Sequence, residues 1–326
     1  MDMGESLWAI VLAGGDGTRL ASLTEQLYAE PLPKQFAVIA GDRSLLQATI
    51  DRLSSLVPPS RTAVVVPTAY EAVARSQLAE YHGIHVVIQP ANRGTGPGIL
   101  LPLAHVLGRA PNARVVVVPS DHYVARPDAL NEAIGTAASE TGRVPLTLVG
   151  AAPDYAETEY GWISPGEIAS GSVRRIEGFV EKPSAPRAEQ LFRSGWLWNT
   201  FVLVGEGVRI WRISEEKMPG PAAVIRACVG EPGSKGSCLT RAYGVMPSVN
   251  FSRAVLEQTA GLGVVSAQSC GFSDWGSPAR VAASLRGTAE LDRLLARIAS
   301  NERQLPIGRT SLVSRPPAEL GRPKSL

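Results

Sequence analysis

Short apolar runs punctuate the first half of the chain, at Leu7–Leu12 and at residues 63–66, 86–88, 115–118 and 146–149. They are rich in β-branched residues and lack polar alternation, which is the pattern of parallel strands buried on both faces. Between them the apolar positions take helical spacing. Leu45, Leu46, Ile50, Leu53 and Leu56 fall on one face, and residues 72–81, 99–107 and 130–138 read the same way. Strands alternating with helices predict an α/β fold built on a doubly wound, mostly parallel sheet. In such a sheet ligands bind beyond the carboxyl ends of the strands.

After about residue 150 the pattern changes to shorter β-like pieces, such as 161–163 and 173–180, separated by Gly and Pro. This half is expected to form a smaller, β-rich lobe with no sharp linker. Residues 279–298 read as one or two amphipathic helices, and a C-terminal helix is expected at 286–301. The remaining stretch, 302–326, lacks periodicity and is rich in Pro, Ser and Arg, so disorder is expected there.

Composition narrows the class. The 326 residues are 44% hydrophobic, and the mean hydropathy is +0.04. That suits a globular protein with one large core or two domains. A formal net charge of +2 leaves no electrostatic footprint for nucleic acid. The longest apolar stretch, 99–107, contains Pro102 and is too short to span a bilayer. No charged segment followed by an apolar core opens the sequence, so no secretory leader and a cytoplasmic protein are expected. Cys228, Cys238 and Cys270 are odd in number and lack C-x-x-C spacing, which argues against a disulfide framework and against zinc. The four histidines are scattered and read as structural or solvated.

The chemistry is concentrated where the first strand ends. Leu12-Ala13-Gly14-Gly15-Asp16-Gly17-Thr18-Arg19-Leu20 follows that strand directly, and Pro33-Lys34-Gln35-Phe36 comes shortly after. Glycine-rich turns of this kind present backbone N–H groups to phosphates. Arg19 adds a planar, permanent cation and Lys34 a second one. The spacing fits neither G-x-x-x-x-G-K-[ST] nor G-x-G-x-x-G. A glycine turn alone could be a plain strand-to-helix connection; with the two cations, a nucleoside triphosphate is the expected guest.

These segments resemble the signature of the sugar-nucleotide pyrophosphorylases, most closely the mannose-1-phosphate guanylyltransferases. Further matches follow in the family's order: Gln89 to Gly98 (Q-P-A-N-R-G-T-G-P-G), Pro119 to His122 (P-S-D-H), Tyr160 to Ile163 (Y-G-W-I), Val180 to Pro183 (V-E-K-P), Trp198 to Phe201 (W-N-T-F) and Phe272 to Gly276 (F-S-D-W-G). The resemblance implies a Rossmann-like nucleotidyltransferase domain over residues 1–285, with 1–150 as nucleotide-binding half and 151–285 as sugar-phosphate-binding half. The implied reaction joins a nucleoside triphosphate to a sugar 1-phosphate and releases pyrophosphate, with GTP and α-D-mannose 1-phosphate as the expected pair. Such a reaction needs placement and charge stabilisation rather than a covalent nucleophile.

Asp121 follows a strand end, and Asp274 sits between Ser273 and Trp275-Gly276; as residues alone, each could equally cap a turn or hold a metal. By resemblance both bind Mg²⁺. Arg19 and Lys34 are then the catalytic cations, and Leu12, Ala13, Gly14, Gly15, Gly17, Thr18, Gln89, Asn92 and Thr95 hold the nucleotide. Lys182 would meet the sugar's phosphate and Glu181 its hydroxyls, with Gly161 and Asn199 in the same pocket. Trp196 and Trp198 read as packing. Two departures stand out. Relatives carry R-N-T-A-P-A where this chain has Arg93-Gly94-Thr95-Gly96-Pro97-Gly98, which weakens the case for guanine, and S-I-D where it has Ser248-Val249-Asn250. The expected partners are the two small-molecule substrates, with neither nucleic acid nor membrane, and a homodimer is allowed. Alternatives are the same chemistry with another sugar and UTP or dTTP, or a non-catalytic nucleotide-sugar sensor.

Overall fold

The computed structural model describes residues 7–230 and 235–302; of the tail expected to be disordered, only residue 302 falls within them, at the end of the last helix. From the amino terminus the elements are β1 (Leu7–Leu12), α1 (Ala21–Tyr28), α2 (Leu45–Leu53), β2 (Thr62–Pro67), α3 (Glu71–Leu78), β3 (His85–Gln89), α4 (Thr95–Leu107), β4 (Arg114–Pro119), β5 (Tyr123–Val124), α5 (Pro127–Ser139) and β6 (Thr147–Ala151). The second half adds β7 (Gly161–Ser170), β8 (Val173–Glu181), α6 (Ala185–Arg193), β9 (Leu197–Glu206), α7 (Gly207–Lys217), α8 (Pro219–Gly230), α9 (Lys235–Val245), β10 (Gly263–Ala267), β11 (Phe272–Ser273), α10 (Pro278–Ser284) and α11 (Ala289–Glu302). Each of the five apolar runs is a strand. Helix α4 starts at Thr95, ahead of the apolar run at 99, because Pro97 is tolerated in a first turn.

Strands β3, β2, β1 and β4 lie side by side and parallel. Alternation along β1 shows why both faces are apolar. Leu7, Ala9 and Val11 pack with α2, α3 and α5 through Ile50, Ala74 and Ile134, while Trp8 and Ile10 pack with α4 and α8 through Leu103 and Ile225. The fold is therefore α/β with helices on both sides of a central sheet. Beyond β4 the order continues β9-β6-β10-β8-β7, with β9 antiparallel to both its neighbours. Strand β7 also pairs with β9, so these five strands close on one another as the β-rich part. Strands from the two halves of the sequence thus share one sheet. A third, smaller cluster packs α1 against α10 and α11 through Leu23, Val281 and Leu294.

The cysteine expectation needs correction. Cys228 and Cys238 form a disulfide, while Cys270 is free and buried. Helices α8 and α9 pack side by side, which brings together two residues that sequence spacing leaves unrelated; an odd count only requires that one thiol be left over. Closing a loop of this length stabilises the fold by about 2–3 kcal/mol in the chain-entropy model. Denatured, unreduced protein should therefore expose a single alkylatable thiol and reduced protein three, as counted by mass spectrometry. Three thiols without reductant would exclude the crosslink.

Candidate active site

A cavity of about 380 Å³ opens at the carboxyl ends of β1 and β4, where a parallel sheet is expected to bind its ligand. The hydroxyl and the N–H of Ser120 both donate to the Leu12 carbonyl, at 2.8 and 3.1 Å, and so tie the two strand ends together. Gln35, almost fully buried, donates from Nε2 to the Ala13 and Gly15 carbonyls at 3.2 and 2.7 Å. Those oxygens are thereby engaged rather than left to repel an incoming anion. Gly17 has φ of 62°, and a Cβ there would lie 2.7 Å from the Lys34 nitrogen. Only glycine lets the P-K-Q-F turn press against the loop.

The two aspartates converge through a short ladder. Strands β5 and β11 pair Tyr123 with Ser273 and Val124 with Phe272, and the Tyr123 and Trp275 rings stack at 4.6 Å. This register brings Asp121 and Asp274 onto one cavity wall. Lys34 links them from beneath: its ammonium lies 3.1 Å from Asp121 Oδ2 and donates to the Asp274 carbonyl at 2.5 Å. Asp274 is only 7% exposed. Its Oδ1 accepts from the Tyr160 hydroxyl (3.0 Å), the Gly276 N–H (2.8 Å) and Arg280 Nη1 (2.8 Å), whereas among the described residues the one donor to Oδ2 is Arg19 Nη2, at 3.4 Å. Burial pushes both carboxyls up. Lys34 and the charge His122 can carry outweigh it at Asp121, and His122, Arg280 and Lys34 do so at Asp274, so both end below the ordinary carboxylate range, while burial lowers the pKa of His122 itself. Two ionised oxygen donors beside an open cavity suit Mg²⁺, which takes one or two carboxylates and leaves the rest to phosphate and water. Among the described residues there is no cluster of three or more metal-ligating side chains.

The opposite wall comes from the β-rich part. Between Val149 and Gly150 the pairing partner on β9 jumps from Val202 to Asn199, a bulge in which Phe201 has φ of 58°. The bulge turns both Asn199 and Phe201 toward the cavity. Glu181 lines the same wall, where burial raises its pKa and Glu257 adds to the effect against Lys182. Lys182, at φ of 50°, does not line the cavity; its ammonium lies 3.3 Å from Glu159 Oε2. That same oxygen is 3.5 Å from Arg19 Nη1.

At the remaining end the 92–98 loop clasps residues 248–252. Val249 donates to the Arg93 carbonyl at 3.0 Å, the Gly96 N–H donates to the Val249 carbonyl at 2.9 Å, and Phe251 donates to Thr95 Oγ1 at 2.8 Å. Gly94, at φ of 79°, has the Val249 carbonyl 2.5 Å from where a Cβ would stand. Asn250 accepts the Arg253 N–H at 3.1 Å, capping the π-helical turn Ser252–Leu256.

Of the expected site residues, Leu12, Gly14, Gly15, Arg19, Gln89, Asn92, Thr95, Asp121, Asp274, Gly161, Glu181 and Asn199 line the cavity. Ala13, Gly17, Thr18, Lys34 and Lys182 are not on its surface. Sequence reading missed Gln35, Glu159, Tyr160 and Arg280 as parts of the constellation. Gln35 and Tyr160 lay inside recognised motifs, whereas Glu159 and Arg280 stand outside any motif.

The sheet, the glycine loop and the paired acids define a nucleotide-handling α/β protein. The chain belongs to the nucleotidyl transferase family, whose model matches residues 8–228. It is 30% identical over 286 residues to the mannose-1-phosphate guanylyltransferase of Escherichia coli K12, covering 83% of this chain and 58% of that one. It is 32% identical over 278 residues to the xanthan biosynthesis protein XanB of Xanthomonas campestris, covering 82% and 57%. The chain thus spans somewhat over half the length of these curated relatives. A solved structure from Thermus thermophilus, named as a mannose-1-phosphate geranyltransferase, superposes with a TM-score of 0.73 at 31% identity, covering 83% of this chain and 76% of that one. The inositol-1-phosphate CTP transferase of T. maritima shares the fold at 16% identity, with a TM-score of 0.57.

Because Asn250 uses a side-chain oxygen to cap, Asn250→Asp should keep stability within about 0.5 kcal/mol and Asn250→Ala should lower it by about 1 kcal/mol. Denaturant melts measure both, and equal losses would refute the capping role.

Proposed function

We propose that the protein transfers a guanylyl group from GTP to mannose 1-phosphate, giving GDP-mannose and pyrophosphate. The observation that carries this reading is the meeting of Asp121 and Asp274 with the glycine loop on one cavity, bridged by buried Lys34. The names of the relatives support the substrates. A cytoplasmic setting belongs to the same reading.

The sugar phosphate's oxygen forms a bond to the α-phosphorus while the bond to the departing pyrophosphate breaks, in line. The loop at Gly14 and Gly15 receives the triphosphate, and Arg19 stabilises charge developing on pyrophosphate. Glu181 and Asn199 accept and orient sugar hydroxyls, and Lys182 exchanges Glu159 for the sugar's phosphate. Gln89, Asn92 and Thr95 meet the nucleoside. Asp121 and Asp274 would hold Mg²⁺, which when bound neutralises phosphate charge at the reacting centre. Lys34 keeps the two carboxylates ionised and in place.

A second reading has one specific observation behind it. Gly94 leaves no side chain where relatives carry Asn, and the Val249 carbonyl fills that space. This weakens the case for guanine without pointing to another base, and the same transfer with UTP or dTTP is the alternative it keeps.

Pyrophosphate release across GTP, UTP, dTTP and ATP, each with mannose 1-phosphate and glucose 1-phosphate, tests both. GTP with mannose 1-phosphate should be fastest; release only with UTP or dTTP would establish the second reading, and none with any pair would end both. Asp121→Ala and Asp274→Ala should each lower kcat on the order of 10²-fold in folded protein. Arg19→Ala should lower it by about 10-fold or more, measured in the same assay; unchanged rates would remove the residue concerned from the mechanism.

A further inference from the structure

Arg280 and Glu157 have no place in the mechanism above, and neither lines the cavity. Yet their side chains are only 16% and 7% exposed, and they form the shortest ion pair around the site, Nη2 to Oε2 at 2.6 Å. A carboxylate and a guanidinium taken out of water this far need a structural or chemical reason. The other arm of the guanidinium, Nη1, donates to Asp274 Oδ1 at 2.8 Å, and its plane covers the Tyr160 ring at 5.0 Å. Tyr160 itself donates to Oδ1 while accepting the Asp274 N–H, both at 3.0 Å.

All three short donors therefore fall on one oxygen of Asp274. The other oxygen is left with a single, longer contact. We propose that Arg280, clamped by Glu157, is a positioning residue: it holds Asp274 Oδ1 inward so that Oδ2 is presented to the cavity as the atom that meets the divalent cation. This rests on the function proposed above. The clamp needs a fork. One arm of a planar guanidinium reaches Glu157 while the other reaches Asp274, and the flat face stacks on Tyr160; a lysine's point-like ammonium cannot do all three. Glu157 carries the order further, because its Oε1 accepts the Glu159 N–H at 2.8 Å. That turn sets Glu159 against both Arg19 and Lys182.

Removing Arg280 alone would strand a buried carboxylate at Glu157 and could unfold α10 from the site. Two variants avoid that: Arg280→Lys, which keeps the charge, and the double Glu157→Gln, Arg280→Gln, which leaves no lone charge and preserves an acceptor for Glu159. Melting curves verify that each is folded. Mn²⁺ titrated alone, followed by water-proton relaxation, reads the cation site directly, and steady-state rates give kcat and KM. Both folded variants should bind Mn²⁺ about 10-fold more weakly and lose about 10- to 100-fold in kcat, with KM for the nucleotide changing less than about 3-fold. Wild-type Mn²⁺ affinity in either folded variant overturns the proposal. A structural staple would alter melting but leave Mn²⁺ affinity untouched. If the wild-type chain releases no pyrophosphate with any substrate pair, the functional reading fails while the Mn²⁺ titration still decides the role of Arg280.

Discussion

A carboxylate that is removed from water must find donors or lose its charge, and Asp274 meets that requirement by recruiting parts of the chain far from it in sequence. Its side chain and backbone engage Tyr160 from just ahead of β7, Arg19 from the glycine loop, Lys34 from the P-K-Q-F turn and Arg280 from α10. Burying an unpaired carboxylate would cost several kcal/mol. The donors Tyr160, Gly276, Arg280 and Arg19 on its oxygens, with Lys34 close by, reverse that, and its pKa lies below the ordinary carboxylate range. The same contacts that satisfy Asp274 fix the relative positions of loop, turn, lobe and C-terminal helices. Site geometry and local stability are therefore one problem with one solution.

The topology supplies the approach. Parallel strands β3, β2, β1 and β4 deliver the glycine loop and the P-S-D segment to one edge, but a parallel sheet alone offers one wall. Strand β9, inserted antiparallel between β4 and β6, brings the second wall against the first. Its bulge aims two successive odd-numbered residues, Asn199 and Phe201, into the cavity by accepting an unfavourable φ at Phe201. Lys182 and Trp275 also hold positive φ without being glycine, and all three lie in or beside the site. Strain of this kind persists only where surrounding contacts over-determine the backbone.

What could be read in advance follows from which forces are local. The strands of the first half were legible because burial on both faces forces continuous β-branched runs, and α2 to α5 because a core-facing stripe has a period. The glycine loop, Asp121, Glu181 and Asn199 were legible as motifs. Strands β5 and β11 were not, since two-residue ladders carry no periodicity, yet they bring the acids together. Lys34 read as a cation for phosphate because a compact ammonium on a proline-stiffened backbone suits one; the fold buries it against Asp121 and Asp274. Arg280 and Glu157 had no signal at all, because a buried ion pair between distant segments exists only in three dimensions. The disulfide is missed for another reason: an odd count without C-x-x-C spacing argues against it, although its cysteines stand ten residues apart on neighbouring helices.

The two departures from the family pattern, at Gly94 and Asn250, look independent in sequence and are coupled in space. The Val249 carbonyl sits where a side chain on residue 94 would begin, and it is held there by the Gly96 N–H. Any residue but glycine at 94 would have to push back the 248–251 segment, breaking the bonds it makes to Arg93, Gly96 and Thr95. Asn250 follows immediately, and its cap on Arg253 starts the π-helical turn whose first residue, Ser252, lines the cavity. An amide serves that cap as well as a carboxylate does, and adds no negative charge to the cavity that Asn250 lines. Gly94 and the close seat of 248–250 are thus one local packing unit at this end of the cavity.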